Sequence, residues 1–322
     1  MDNKSIYKKT IGFSLWRVLW DLIAFIAFII FSAAGFIIAN QTSDKGFAGL
    51  AIGAVLGGIC AGVFLHFVAY TYKAGQIAMM TEGVVSGKLP ENTVKEGRKI
   101  VKERFTTVAA YYAVTGVIKG IFRQIGNGIT AVGQAVGGNN GNAVGSTISS
   151  VINTIVDYLC DCCLGWVFYK KDESAGKATL EGAAIFFKHG KTLIRNLGRI
   201  FGISLASFVV IGGIFTVIAY LITLLFPEAM TALSNETIEV LTNAGKEVPE
   251  FLHDITIFSW VCSGIAGVIM WGILHSTFVR PFILVGVLRN FINSGKDEKI
   301  TESDYKELDK KSKKFAKLHS EA

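Results

Sequence analysis

Charged side chains are scarce in this chain. Only 18% of its 322 residues are Asp, Glu, Lys or Arg, while 51% are hydrophobic; soluble proteins carry about 25% charged residues. The apolar residues concentrate in five runs, and each run reaches the roughly 20 residues that a helix needs to cross a bilayer. The composition therefore leaves no room for a second soluble domain and predicts an integral membrane protein.

Recognised catalytic signatures are also missing. The sequence has no H-E-x-x-H, no P-loop and no G-x-S-x-G elbow, which does not favour an enzyme. None of the five cysteines lies in a predicted outer loop, where a disulfide would form. Cys160, Cys162 and Cys163 lack the spacing of a zinc pair and are expected as small core residues. No cofactor is expected.

The apolar runs and one more polar segment define the predicted spans. We expect an all-α, polytopic membrane protein with about six transmembrane helices in three hairpins, both termini cytoplasmic, and a single transmembrane domain over 1–322. The first run follows a short basic head and lacks a signal-peptide cleavage site, so we expect it to be retained as a span. The predicted spans are 12–39, 47–70, 108–136, 148–169, 200–226 and 255–279.

The segment 106–147 contains nine glycines together with Lys119, Arg123 and Gln124. A lipid-facing helix does not have this composition. The segment fits either a polar third span buried by its neighbours or a re-entrant hairpin surrounded by protein or water. Both arrangements return the chain to the cytoplasm before Lys170, so charge counting does not distinguish them; we favour six spans.

Lys and Arg residues alternate between loops along the chain. The head, 70–104, 169–199 and 280–322 together hold 27 of the 32. Since cytoplasmic loops carry an excess of Lys and Arg, both termini are expected on the cytoplasmic side. This topology and the attraction of anionic inner-leaflet lipids account for the net charge of +7, so no nucleic-acid partner is expected.

Charged residues inside the predicted spans are the strongest functional indication, because an unpaired charge at the bilayer centre costs at least about 2.5 kcal/mol. At about 1.5 Å per residue, Lys119 and Asp157 are expected at one depth, roughly 20 Å from the inner interface, where they could pair across the hairpin. Arg123, Asn153 and Asp161 continue this polar stripe. The stripe fits a hydrated site for a small solute or a structural ion pair between two helices.

Asn153, Asp157 and Asp161 also have N-x-x-x-D-x-x-x-D spacing, which resembles the first diphosphate–Mg²⁺ motif of membrane prenyltransferases. One helical face would present all three oxygens, and Mg²⁺ held by carboxylates can bridge a diphosphate. The resemblance implies a Mg²⁺-dependent membrane transferase acting on a diphosphate. The second acidic motif of those enzymes is missing, and the chain has fewer spans than they use.

The predicted cytoplasmic helix over 300–318 begins with Thr301 and Asp304 at capping spacing and carries a narrow apolar stripe. We expect it to lie on lipid or on its own protein.

Taken together, the patterns favour a multi-pass cell-membrane protein that is a transporter or channel-like protein for a small solute, ion or lipid headgroup, with a polar site between the third and fourth spans. The alternative is a non-catalytic membrane scaffold or assembly subunit that recruits a cytosolic partner. Expected partners are the lipid bilayer, anionic inner-leaflet lipids and a small polar solute or ion; a homo-oligomer is compatible with the sequence.

Overall fold

The computed structural model describes residues 1–43, 46–106, 108–137, 156–194 and 197–321. Within these ranges the regular structure is helical and contains no strand. Four helices there are long and apolar enough to cross a membrane, which supports an integral membrane protein. They are Asn3–Thr42, Ala48–Val85, Gly202–Thr223 and Ile255–Gly295.

The described helices are numbered in chain order. They are α1 (Asn3–Ser43), α2 (Gly46–Val68), α3 (Ala74–Val85), α4 (Thr93–Arg104), α5 (Val108–Gly137), α6 (156–169), α7 (Ala175–Ile194), α8 (Leu197–Ser207), α9 (Gly213–Thr223), α10 (Pro227–Asn243), α11 (Ile255–Leu274), α12 (Arg280–Gly295), α13 (Glu302–Lys311) and α14 (Lys313–Glu321). Short π-helical turns join α2 to α3, α8 to α9 and α11 to α12: Ala69–Lys73, Phe208–Gly212 and His275–Val279.

Three helices extend beyond the predicted spans. The run predicted at 12–39 begins at Asn3, the run at 47–70 continues to Val85, and the run at 255–279 continues to Gly295. The added residues of α1 and α3 include Ile6 and Met79, which are fully buried. These added turns pack on other parts of the protein, and the apolar runs alone do not reveal that packing.

Contacts divide the chain into two compact units, Met1–Leu197 with Pro281–Ala322, and Gly198–Arg280. In the first unit α3, α6 and α12 meet at Gly165. A Cβ atom there would contact Leu288 and would lie 3.1 Å from Thr81 Oγ1. Trp166, Phe291 and neighbouring apolar side chains are fully buried around this point, so the core of the first unit lies among these helices.

The α1 and α2 helices of the first unit pack closely along small residues. Backbone atoms of α1 occupy the space that a side chain at Gly53 would need, and Phe31 Cβ would lie 2.9 Å from a Cβ at Gly57. A Cβ at Gly58 or Gly62, on another face of α2, would meet nothing within 4 Å. Large apolar side chains cover the outer surface, including Ile30, and such a surface suits contact with lipid.

The second unit is built on the packing of α9 against α11. The rings of Tyr220 and Trp260 stack with centroids 4.0 Å apart. Nearer the other end of α11, Trp271 donates to Ser207 Oγ over 3.1 Å, and His275 Nε2 lies 3.1 Å from Ser204 Oγ. Hydroxyl and ring-nitrogen groups therefore pair between α8 and the end of α11, two helices that are largely apolar.

The amphipathic helix predicted over 300–318 is divided at Ser312 into α13 and α14. The expected capping box of Thr301 and Asp304 is present. Ser312 has an extended backbone, and its hydroxyl accepts a hydrogen bond from the Phe315 amide over 3.1 Å, which caps α14. Leu308 and Phe315 are fully buried, so the apolar stripe packs on the chain itself.

Hydrogen-bonded charges join α7 to the segment that precedes α13. Lys188 Nζ lies 2.7 Å from Glu298 Oε1, and His189 Nε2 lies 2.9 Å from Glu298 Oε2. The hydrogen bond from Lys188, followed by that from His189, lowers the pKa of the Glu298 carboxyl below its ordinary value. This contact helps to place α13 against α7.

Candidate functional site

Lys119 and Asp157 lie together, as their opposite charges predicted. Lys119 Nζ of α5 is 3.6 Å from Asp157 Oδ1 of α6. Arg123 is exposed one turn further along α5. Asn153, which was also predicted for this stripe, lies outside the described residues.

Asp161 pairs with a residue that was not predicted for the site. Its Oδ1 atom is 2.8 Å from Lys73 Nζ, and Lys73 ends the π-helical turn between α2 and α3. The sequence pattern assigned Lys73 to a basic loop, but the helix continues through it. One feature of the sequence could have indicated that Lys73 lies in a helix. Lys73 is the single Lys or Arg between Tyr70 and Gly87, in a stretch that is largely apolar.

The four residues Lys119, Asp157, Asp161 and Lys73 are called the charged cluster. Its two ion pairs differ in burial. In the open pair, the side chains of Lys119 and Asp157 are 48% and 43% exposed; in the buried pair, those of Lys73 and Asp161 are 30% and 5% exposed. The two aspartates are four residues apart on one helix and therefore share a face. The cluster thus has one accessible end and one enclosed end.

Polar side chains follow Lys73 along α3 into the first unit. Gln76, one turn beyond Lys73, is 2% exposed. Its Nε2 donates to Ser14 Oγ over 3.0 Å and to the Thr10 carbonyl over 3.3 Å. Because Ser14 and Thr10 are also fully buried, hydrogen-bonding groups extend from the turn that carries the buried pair into the protein core.

Tyrosines fasten the start of α5 to the end of α2. The Tyr70 hydroxyl donates to the Phe105 carbonyl over 2.9 Å, and the Tyr112 hydroxyl donates to the His66 carbonyl over 2.6 Å. The Tyr70 and Tyr111 rings meet edge to face with centroids 5.4 Å apart. These contacts set the position of α5 and so hold Lys119 near α6.

Further along, α5 packs against amphipathic helices. It contacts α7 and α14, and the rings of Phe122 and Phe186 lie 5.3 Å apart. Gln124, one of the polar residues of the segment 106–147, accepts hydrogen bonds from the Ser312 hydroxyl over 2.6 Å and from the Lys314 amide over 3.2 Å. Gln124 therefore holds the start of α14, which is a structural role.

An aromatic cluster lies beside the buried pair in the sequence. Tyr72 precedes Lys73, and its ring stacks on that of Trp16 at 6.0 Å; Trp16 lies 6.3 Å from Trp20. On one side of these rings, Phe13 of α1 is fully buried, and on the other side Leu22 is exposed. Exposed large apolar side chains therefore begin on α1 at Leu15, next to these rings.

Among the described residues, no three His, Cys, Asp or Glu side chains are grouped to hold a metal ion. Each aspartate of the charged cluster lies beside a lysine ammonium. Cys162 and Cys163, which follow Asp161 on α6, are fully buried. The charged cluster therefore contains two cations and two anions, arranged as two ion pairs.

No family model, curated protein or solved structure matches the chain. The chemistry of the site therefore rests on the geometry of the chain's own residues.

Proposed function

We propose that this protein is a multi-pass transporter or channel-like protein of the cell membrane that passes a small charged solute, ion or lipid headgroup by way of the charged cluster. The exposure of the open pair is the observation that supports this most. Nearly half of each side chain is accessible in a protein whose outer surface is largely apolar. A solute could therefore reach both charges.

Stability alone does not account for the open pair. An exposed ion pair contributes only about 0–1 kcal/mol to stability. A pair that served only to lock α5 to α6 would be expected to resemble the buried pair, in which Asp161 is enclosed. The accessible geometry therefore favours binding over locking.

The open pair contains one cation and one anion, which suggests how a solute would bind. A cationic group of the solute can replace the Lys119 ammonium as the partner of Asp157. The displaced Lys119 ammonium can then pair with an anionic group. A zwitterion, including a lipid headgroup, satisfies both residues at once and leaves neither charge unpaired. The buried pair and the Gln76 hydrogen bonds behind it would then form the narrower part of the path.

The aromatic cluster bears on where this site lies in the membrane. Trp and Tyr concentrate at membrane interfaces, and Tyr72, beside Lys73, belongs to such a cluster. We place the charged cluster at the cytoplasmic interface, and not at the roughly 20 Å depth expected from residue counting. In this arrangement both termini are cytoplasmic, and the cluster forms the inner mouth of the path.

The contacts of α5 support the re-entrant alternative for 106–147. A span would be covered by apolar helices or lipid, but α5 packs on α7 and α14, which carry many charges. The helices α4 and α5 also meet at 82°, over Thr93–Arg104 and Ala109–Gln124. We therefore prefer a re-entrant α5 to the six-span arrangement.

Neutralising the open pair tests the proposal. The double variant Lys119→Met, Asp157→Leu removes both charges without leaving one unpaired, so it is expected to keep the fold but lose at least about tenfold in transport rate. The measurement is release of potassium chloride, choline and glycine, and translocation of fluorescent phosphatidylcholine, in proteoliposomes. At least one probe is expected to move faster with the unaltered protein.

A second ion pair provides the matched control. Lys317 and Glu321 are 3.9 Å apart and strongly exposed on α14, so Lys317→Met with Glu321→Leu removes the same charges away from the cluster. This control should transport at the unaltered rate. Equal rates in all three proteins, or no transport of any probe, would contradict the proposal.

Two other interpretations receive less support. Recruitment of a cytosolic partner by a scaffold would use the apolar stripe of the C-terminal helices, but Leu308 and Phe315 are buried against the chain itself. For a Mg²⁺-dependent transferase, the aspartates would have to exchange their lysine partners for the metal. We therefore do not propose either activity.

A further inference from the structure

A groove of about 850 Å³ lies beside α4, between this helix, α1 and the π-helical turn that follows α2. Its lining includes Trp16, Tyr70 and Val94 together with the cations Lys95, Arg98 and Lys102. We call it the basic groove. It is separate from the four residues of the charged cluster.

The basic and the acidic residues of α4 lie on different sides of the helix. At 3.6 residues per turn, Lys95, Arg98, Lys99 and Lys102 fall within an arc of about 100°. Glu96 and Glu103 lie on the other flank and line a different cavity. Between the flanks, the seam of Thr93, Gly97 and Val101 is buried. The helix is thus fixed by its seam and turns a concentrated positive face to the basic groove.

Most of these cations have no carboxylate partner among the described residues. Within the described part of the chain, Lys95, Arg98 and Lys102 form no ion pair; Lys99 has loose pairs with Glu96 at 3.7 Å and Glu103 at 3.9 Å. Arg98 lies over the Tyr72 ring, 5.7 Å from its centroid. A face with four clustered cations is complementary to an anion.

The groove also has an apolar side. Trp16 belongs to the aromatic cluster and adjoins Leu15 and Leu19, which are exposed large apolar side chains of α1. Cations next to aromatic and aliphatic groups match a phospholipid, whose phosphate and acyl chain meet at the same level of the bilayer. A soluble phosphate ester would use the cations and leave the apolar side unoccupied.

We infer that the basic groove binds the headgroup of an anionic phospholipid, with its phosphate among Lys95, Arg98 and Lys102 and its first acyl carbons against Trp16. This inference does not depend on the proposed transport function. It assigns a defined site to an anionic lipid, where the sequence indicated only a general attraction of basic loops to the inner leaflet.

Phosphatidylglycerol is the probe for the test. The purified full-length protein is titrated with it in detergent, bound lipid is counted by native mass spectrometry, and a photoactivatable analogue locates the contact. Each basic residue near an anionic lipid surface contributes about fivefold in affinity. The variant Lys95→Gln, Arg98→Gln, Lys102→Gln is therefore expected to bind about 100-fold more weakly, and cross-links in the unaltered protein should map to α4 or Trp16.

Three exposed lysines elsewhere supply the charge-matched control: Lys306→Gln, Lys310→Gln, Lys313→Gln on α13 and α14 should change affinity by less than about threefold, because distant exposed charges are screened. The charge-preserving variant Lys95→Arg, Arg98→Lys, Lys102→Arg should retain binding. An equal loss in both glutamine variants, or no preference for phosphatidylglycerol over phosphatidylcholine, would overturn the inference. Displacement by millimolar glycerol phosphate would reassign the groove to a soluble phosphate ester, and would also overturn it.

Discussion

Replacement of Gly53 by valine is expected to force α1 away from α2 and lower the free energy of unfolding by about 3 kcal/mol. The new Cβ would collide with the Phe31 carbonyl oxygen and lie 3.1 Å from Ser32 Cα. Both are backbone atoms, which cannot rotate aside as a side chain can. The helices would have to separate, and close packing of small residues is what holds membrane helices together.

Glycines on another face of α2 are the control for this change. A Cβ at Gly58 or Gly62 meets nothing within 4 Å, so Gly58→Val and Gly62→Val should change the free energy of unfolding by less than about 0.5 kcal/mol. Thermal and chemical unfolding of the purified variants in one detergent makes the comparison. If Gly53→Val is as stable as Gly58→Val, the packing of α1 on α2 is wrong.

Removal of Lys73 should destabilise the protein far more than removal of Lys119. Lys73→Met leaves the enclosed Asp161 carboxylate without its ammonium partner at 2.8 Å, and breaking a buried pair in this way costs about 3–5 kcal/mol. Lys119→Met breaks a pair whose side chains are nearly half exposed, so the expected cost is below about 1 kcal/mol.

A double-mutant cycle separates the pair from the other contacts of its members. Lys73→Met with Asp161→Leu removes both charges and should recover most of the stability lost in Lys73→Met alone. The readout is again unfolding of the purified variants. Additive losses in the double variant, or equal losses for Lys73→Met and Lys119→Met, would show that the two pairs do not differ in burial as the structure indicates.

The charged cluster could be predicted only in part from the sequence. The pairing of Lys119 with Asp157 was predicted because each is a charged residue in a predicted span and needs a partner of opposite charge, and the two side chains do lie together. The partner of Asp161 could not be found in this way. A basic residue at the end of an apolar run is typical of a loop, and only the packing of α3 shows that the helix continues through Lys73.

The fold, too, could be predicted from the sequence only where it depends on local patterns. Apolar runs predicted the membrane-spanning character, and the Thr301 capping spacing predicted the start of α13, since both depend on local patterns. The break at Ser312 depends instead on Gln124, a residue 188 positions away. Likewise, Gly53 and Gly57 have the same spacing in the sequence of α2 as Gly58 and Gly62. The structure shows that the first two lie against α1, whereas the other two do not.

In the proposed arrangement, the open pair faces water at a cytoplasmic mouth. To test this, the five native cysteines are replaced, Lys119→Cys or Asp157→Cys is introduced, and labelling is measured with a membrane-impermeant thiol reagent applied from each side. We predict that both positions react from the cytoplasmic side, whereas Ile118→Cys and Ile121→Cys, at fully buried positions, do not. If Lys119→Cys and Asp157→Cys react no faster than the buried controls, or react only from the opposite side, the charged cluster is not an inner mouth and the proposed function is wrong.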